Sequence, residues 1–256
     1  MIQTFARVLN FRSVAANIFV LSFDAPGIAA AAKPGQFLNI KVSEFDIPLL
    51  RRPFSIFSVK GDSVEIIFNI IGIGTVLLSK KKAGEEIDII GPLGNAYSLD
   101  EEDGTAILVG GGLGVAPLPI LTSSLSKSRK KIVTYLGARS SAAIVTEGLR
   151  NVRIATDDGS SGFKGTVVEL MKNEAAKEKF ARARIYGCGP NPMLRALASA
   201  AKELDVPCEV SLESAMACGI GICQGCPIET IAGEKKYALV CKEGTVFDSR
   251  SVVIPG

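Results

Sequence analysis

Histidine is absent from all 256 residues of the chain. That removes Rieske-type ligation, the usual zinc-hydrolase sites and any Ser-His or Cys-His nucleophile system, so the chemistry must be carried mainly by cofactors. A dominant charge of either sign is also missing. Lys and Arg number 29 against 26 Asp and Glu, a net +3 with no long basic run, which leaves no footprint for nucleic acid. The lysines at 80–82 are the densest cluster and read as a solvated face. No apolar run suits a bilayer either: the most apolar stretch, Ala106 to Leu121, is cut by three consecutive glycines and two prolines. The start, Met-Ile-Gln-Thr-Phe-Ala-Arg, lacks the charged region and apolar core of a signal peptide. The expectation is a cytoplasmic, reducing setting, where thiols serve as ligands more often than as disulfides. Internal repeats and low-complexity tracts are absent.

What is present is enough hydrophobic material, 47% of residues, for sizeable cores, and enough length for two domains plus a small module. Residues 37–42, 54–59 and 63–68 are short runs rich in β-branched and aromatic residues. Turn signals at 33–35, 60–62, 83–85 and 91–95 separate them, which suggests an antiparallel barrel with a short helix at 75–82. Near residue 104 the texture changes. Thr105 to Val109 reads as a strand buried on both faces, followed by strands at 131–136, 152–156 and 183–186. Helices fit at 117–126, 165–173 and 192–204, and such alternation implies a parallel sheet. From Cys208 onward the chain reads as a short cysteine module. The expected architecture is therefore multidomain: an antiparallel β-barrel over 1–100, an α/β parallel-sheet nucleotide domain over 101–207 and a small C-terminal module over 208–256.

Four cysteines in that module stand at informative spacing: Cys218, Cys223 and Cys226 follow C-x4-C-x2-C, with Cys241 beyond. This is the plant-type spacing that holds a [2Fe–2S] cluster. Gly219, Gly221 and Gly225 would let a tight loop turn backbone N–H groups toward the sulfurs, which tunes such a cluster. A structural zinc site or a disulfide pair are the bland readings; zinc sites usually repeat C-x2-C, and here it occurs once.

Other motifs bear chemistry when read in order. Gly110-Gly111-Gly112-Leu113-Gly114-Val115-Ala116-Pro117 sits between a buried strand and a helix, where backbone can approach a pyrophosphate. Tight strand-to-helix packing would also explain it. Arg52-Pro53-Phe54-Ser55 could pair a phosphate and bond a heterocycle edge, and Gly72-Ile73-Gly74-Thr75 could hold phosphate oxygens. Cys188-Gly189-Pro190 follows the last of these strands.

Together these motifs resemble the ferredoxin-reductase superfamily, which joins an FAD-binding barrel to a nicotinamide-binding α/β domain. With Met216-Ala217-Cys218-Gly219-Ile220-Gly221-x-Cys223-x-x-Cys226 and Val240-Cys241-Lys242-Glu243-Gly244-x-Val246-Phe247 added, essentially the whole chain resembles the electron-transfer subunits of two-component, NAD-linked dihydroorotate dehydrogenases. The resemblance implies FAD held by Arg52, Pro53, Phe54, Ser55, Ile67, Phe68, Asn69, Gly74 and Thr75. It implies NAD over Gly111, Gly112, Gly114, Val115, Ala116 and Pro117, with its nicotinamide end near Cys188, Gly189 and Pro190. It also implies a [2Fe–2S] cluster on Cys218, Cys223, Cys226 and Cys241. Two positions depart from the superfamily: Phe54 stands where a tyrosine is usual, and Asn69 where a basic residue is expected. Thr156-Asp157-Asp158-Gly159-Ser160 also occurs near the nucleotide in this subunit family, though a polar turn explains it equally. Arg139-Ser140, after the second nucleotide-domain strand, could accept a 2′-phosphate, which leaves NADP open beside NAD.

The function implied is an electron relay in pyrimidine biosynthesis: a nicotinamide exchanges a hydride with FAD, and FAD exchanges single electrons with the cluster. The cluster would serve an FMN-containing catalytic subunit, in a heterotetramer of two of each chain. No residue is assigned as catalytic, because no base stands ready to activate Cys188 and no general base for dihydroorotate oxidation is evident. Cys208 lacks a partner at ligand spacing and is expected to be buried. The alternatives are a related subunit serving a sulfide dehydrogenase, hydrogenase or transhydrogenase, a zinc-stabilised regulatory module, and a stand-alone reductase.

Overall fold

The computed structural model describes residues 1–45, 47–99, 104–128, 130–175, 182–231 and 235–256. Six strands close an antiparallel barrel: β1 (Ile2–Ala15), β2 (Ile18–Asp24), β3 (Phe37–Lys41), β4 (Arg52–Lys60), β5 (Ser63–Asn69) and β6 (Glu86–Leu93), in the order β1-β2-β5-β4-β3-β6. Strict alternation of buried and less buried residues along β6 is what a barrel wall with one face in the core requires. Ala6, Val8, Leu21, Phe23, Leu38, Ile40, Ile66 and Ile89 fill the interior. Two short helices, α1 (Pro26–Ala31) and α2 (Ile73–Leu78), sit in its connections.

Sequence patterning anticipated β3, β4 and β5 but not β1, β2 or β6. The turn expected at 91–95 is also shifted, because β6 runs on to Leu93 and pairs with both β1 and β3. The short helix is α2, earlier than the expected 75–82.

The second unit is a seven-stranded sheet in the order β10-β9-β8-β7-β11-β12-β15. Its strands are β7 (Thr105–Gly111), β8 (Lys131–Ala138), β9 (Val152–Thr156), β10 (Phe163–Lys164), β11 (Ala183–Cys188), β12 (Cys208–Ser211) and β15 (Val246–Asp248); all neighbours are parallel except β12 and β15. Every residue of β7 is buried, as befits a central parallel strand. The helices are α3 (Leu118–Leu125), α4 (Val167–Ala175) and α5 (Asn191–Glu203). Past residue 208 the chain differs from expectation. β12 and β15 belong to this sheet, so the cysteine segment is strapped onto the nucleotide domain by backbone pairing. Only the hairpin β13 (Pro227–Glu229) and β14 (Tyr237–Leu239), the short helix α6 (Val240–Glu243) and the cysteine loop stand apart. The boundary expected at 100/101 falls outside the described residues.

Shared cores fix the parts relative to one another. Val20, Phe57 and Ile67 of the barrel pack with Leu108, Leu118, Leu121 and Leu136 of the sheet and α3. On the opposite face, Val109, Ile185 and Val210 pack with Cys226, Ile228, Val240 and Cys241. Arg12 of β1 forms a bidentate pair with Glu147 at 2.7 Å and 2.7 Å, and Tyr97 donates to the Gly187 carbonyl at 3.0 Å. Among the described residues no helix is long and apolar enough to cross a membrane.

Candidate cofactor sites and their geometry

Two cavities open along the seam between barrel and sheet, the first bordered also by the segment that leads to the cysteines. The first, ≈ 260 Å³, is lined by Pro53, Phe54, Ser55, Ile67, Phe68, Asn69 and Thr75 from the barrel side, and by Leu113, Ala116 and Cys188 from the sheet. The second, ≈ 460 Å³, is lined by Gly111, Gly112, Leu113, Arg139, Asp157, Thr166, Pro190 and Met193, and it shares Asn69 with the first. Sequence-distant candidates thus converge as the two halves of one composite site.

Local geometry shows what each place can accept. Phe54 and Phe68 present tilted rings 5.7 Å apart at one wall of the first cavity. Thr75 Oγ1 accepts from the backbone N–H groups of Ile71 and Gly72 at 3.0 Å and 3.2 Å, which shapes the entry to α2. The Arg52 side chain lies across Gly74, where an added Cβ would come within 3.1 Å of Nε, and its guanidinium donates to the Leu50 carbonyl at 2.6 Å. Neighbouring Arg51 is instead committed to Asp88 at 2.5 Å.

In the glycine turn the positions divide sharply. Gly112 has φ +55 with nothing within 4 Å of an added Cβ, an open backbone cradle. Gly114 is the reverse: a Cβ there would fall 2.1 Å from the Cys188 carbonyl oxygen. Gly189 packs against Gly111, with its would-be Cβ 3.1 Å from the Gly111 nitrogen. Val115 joins the hydrophobic core at 2% exposure and Pro117 is buried, so neither lines a cavity; they anchor the turn from beneath.

The cysteine loop is built to receive charge on sulfur. Cys218 Sγ accepts from the N–H groups of Cys223 at 3.4 Å and Ile220 at 3.5 Å, and Cys226 Sγ accepts from the Cys241 N–H at 3.4 Å. Burial pushes the Cys218 thiol up, but the N–H groups of Cys223, Ile220 and Ile222 outweigh it and bring it down to about 6. Burial and the adjacent Cys226 hold Cys241 up at about 12. Gly219, Gly221 and Gln224 have φ of +69, +85 and +58, the left-handed turns that aim these N–H groups inward. All six cysteines are free thiols. Among the described residues no three potential ligands gather around a single ion. N–H···S contacts thus link 218 with 223 and 226 with 241, and four thiols so gathered are the donor set that would hold a two-iron cluster.

Other residues were not legible as site residues. Ser211, Leu212, Glu213, Ser214, Met216 and Thr245 also line the first cavity. Desolvation at the cavity wall raises the carboxyl of Glu213, an otherwise exposed residue, above its ordinary 4.5; burial, with Glu213 nearby, drives the Cys188 thiol far up, so Cys188 stays protonated. Cys208 is buried as expected, at about 12. Asn39, 1% exposed in β3, donates to the Cys218 carbonyl at 2.9 Å. A polar residue inside the apolar run Phe-Leu-Asn-Ile was the available signal, since a buried amide needs a partner.

Comparison with known proteins bears on the whole assembly. The chain is 41% identical over 256 residues to the dihydroorotate dehydrogenase B (NAD+) electron transfer subunit of Desulforamulus reducens, covering 97% of each chain. The chain belongs to that family of subunits. The Bacillus pumilus member is 38% identical over 98% of each chain. Residues 213–253 match the iron–sulfur cluster binding domain of dihydroorotate dehydrogenase B. Among solved structures, a chain of an NADH-dependent reduced ferredoxin–NADP oxidoreductase superposes with TM-score 0.86 at 28% identity, covering 97% of this chain and 90% of that one. Phthalate dioxygenase reductase shares the fold, with TM-score 0.65 at 15% identity over 91% and 88%.

Proposed function

We propose that this chain is the electron-relay subunit of an NAD-linked dihydroorotate dehydrogenase. Its family membership supports this, and one observation carries it: the first cavity touches barrel residues, the nucleotide turn and residues 211–216, which lead directly into Cys218. A single cavity bordered by all three residue sets is what a relay between three groups requires.

The first cavity would hold the FAD ring system, with Phe54 against its face and Ser55 at its edge, while Arg52 and the backbone around Gly74 and Thr75 would take its phosphates. Gly111 and Gly112 would hold the pyrophosphate of NAD, with Cys188, Gly189 and Pro190 beside the nicotinamide. Cys218, Cys223, Cys226 and Cys241 would ligate the [2Fe–2S] cluster. When bound, these groups supply hydride exchange between nicotinamide and flavin and one-electron exchange between flavin and cluster. The chain's own residues orient and tune. Cys188, kept neutral by burial, packs without reacting. The N–H groups on Cys218 stabilise negative charge on sulfur. The working units would be 1–100, 101–207 and 208–256, the last joined to the nucleotide sheet through β12 and β15.

Oxidation of dihydroorotate would take place on a separate FMN-containing catalytic subunit, two of each chain forming a heterotetramer. The likeness to the ferredoxin–NADP oxidoreductase chain favours one second reading, a relay serving another redox partner. Anaerobic affinity purification from the native host, with the eluate assayed for dihydroorotate-dependent NAD+ reduction, separates the two. Activity co-eluting with a second flavin-bearing chain supports the first reading. A brown eluate that reduces dyes with NADH but ignores dihydroorotate supports the second.

A further inference from the structure

We infer that the catalytic subunit docks on the outer face of β1, β6 and β3 together with the chain that follows β3, a surface continuous with the cysteine loop. This rests on the relay reading, because it takes Cys223 and its surroundings as the place where electrons leave. Residues 222–225, Cys223 among them, are the outward part of the loop, Ile222 being 75% exposed.

Continuity runs through β3. Asn39 holds the Cys218 carbonyl from outside the barrel. Lys41, two residues on, lies on the same strand face about 6.6 Å away. Lys41 in turn lines a surface hollow with Phe5, Ser43 and Glu44. Between them lies a fixed polar platform: Asp88 accepts from Arg51 at 2.5 Å and from Gln3 at 3.1 Å. On β1 and in the chain that follows β3, large apolar side chains are exposed. Phe5 is 67% exposed, Phe45 80%, Ile47 77% and Leu49 75%.

Exposed apolar residues scattered singly need no explanation, but three large ones at alternate positions of one short connection do, and the start of that connection shares a hollow with Phe5. The area argument selects the occupant. The cysteine loop, residues 218–226, offers nine residues, whereas a stable interface uses about 20–30 on each side. A partner that must reach Cys223 and bind durably therefore extends over neighbouring surface. The β1–β6–β3 face adjoins the loop, and it supplies both an apolar centre and satisfied polar groups. A second copy of this chain would cover the same apolar residues but would bring no acceptor to the cysteine loop.

The test uses the full chain, loaded with its cofactors, and the catalytic subunit of the same organism. Phe45→Glu combined with Leu49→Glu, and separately Phe5→Glu, alter exposed side chains outside the cofactor sites. NADH-to-dye turnover is expected to stay within about twofold of wild type, while affinity for the catalytic subunit falls at least about tenfold. Dihydroorotate-dependent NAD+ reduction should then return as the catalytic subunit is raised in concentration. Unchanged affinity in both variants overturns the docking surface and leaves the relay reading standing. A wild-type chain that does not bind the catalytic subunit overturns both. Variants that change only the self-association of this chain assign the face to a second copy and also overturn the proposal.

Discussion

The side-chain amide of Asn39 donates to the carbonyl of Cys218 across 179 positions of sequence, at 2.9 Å. It ties the cysteine loop to the barrel, and Gly219 is shaped around it: a Cβ there would lie 2.4 Å from the Asn39 Nδ2. Asn39→Asp keeps the size but replaces the donor with an acceptor, so the Cys218 carbonyl loses its partner. A loss of about 1–3 kcal/mol in the attachment of the loop is expected. The cluster should leave the variant faster on dialysis, seen as falling iron and sulfide content, while flavin absorbance and NADH-to-dye turnover persist. Equal cluster retention would mean that the bond does not govern the loop.

Cys223 is the exposed ligand candidate, paired with Cys218 through an N–H···S contact. Cys223→Ser should leave NADH-to-dye activity intact and abolish electron transfer to the catalytic subunit. Should both activities survive with the cluster intact, the ligand assignment is wrong.

Gly112 and Gly114 are two residues apart in the same turn and should fail in different ways. Gly114→Ala places a methyl group against the Cys188 carbonyl, and overpacking of that kind costs about 1–3 kcal/mol or more. Gly112→Ala meets no atom but strains a left-handed residue by about 1–2 kcal/mol. Thermal melts of the nucleotide-free protein should show the larger loss for Gly114→Ala. The KM for NADH should rise more than stability falls in Gly112→Ala. A rise in KM confined to Gly114→Ala would exclude Gly112 from the nucleotide cradle.

Much of this arrangement was legible in sequence because its signals are local. The glycine turn, the strand β7 and the C-x4-C-x2-C loop each carry their information within ten residues, and each stands where patterning put it. The long strand β1 did not announce itself, because Phe5 and Leu9 point outward and break the alternation of polar and apolar positions. Non-local relations were beyond reach. Nothing near Glu213 says that it borders the same cavity as Ser55, since that follows from β12 pairing with β11. Val115 and Pro117 show the converse: inside a binding motif, these side chains serve the core beneath it.

Glu213 makes the stability of the protein depend on pH in a definite direction. Desolvation at the cavity wall raises its carboxyl above 4.5 in the folded state, although the residue as a whole is exposed. Its stabilising contribution is therefore complete below the unfolded value and is lost as pH rises through the folded one. Glu213→Gln has no carboxyl to ionise, so the stability of wild type relative to the variant should fall across that window and level off above it. Melting temperatures of both proteins from pH 4 to pH 8 give the comparison. A difference that does not change with pH would show that the carboxyl is well solvated.

Arg139 and Asp157 line the same second cavity, and they pull nucleotide choice in opposite directions. A 2′-phosphate would find a guanidinium fork in Arg139 but a like charge in Asp157. The unphosphorylated ribose of NAD suffers no repulsion and can donate its hydroxyls to the carboxylate. In a family of NAD-linked subunits the carboxylate should decide, so wild type is expected to prefer NADH. Asp157→Asn should raise kcat/KM for NADPH by about tenfold, equivalent to about 1.4 kcal/mol, with little change for NADH. Arg139→Ala should weaken NADPH further and leave that order intact. Stopped-flow reduction of the flavin by each nucleotide measures these ratios directly. A wild-type preference for NADPH would mean that Arg139 governs the site, and the assignment of NAD as the physiological nucleotide would fall.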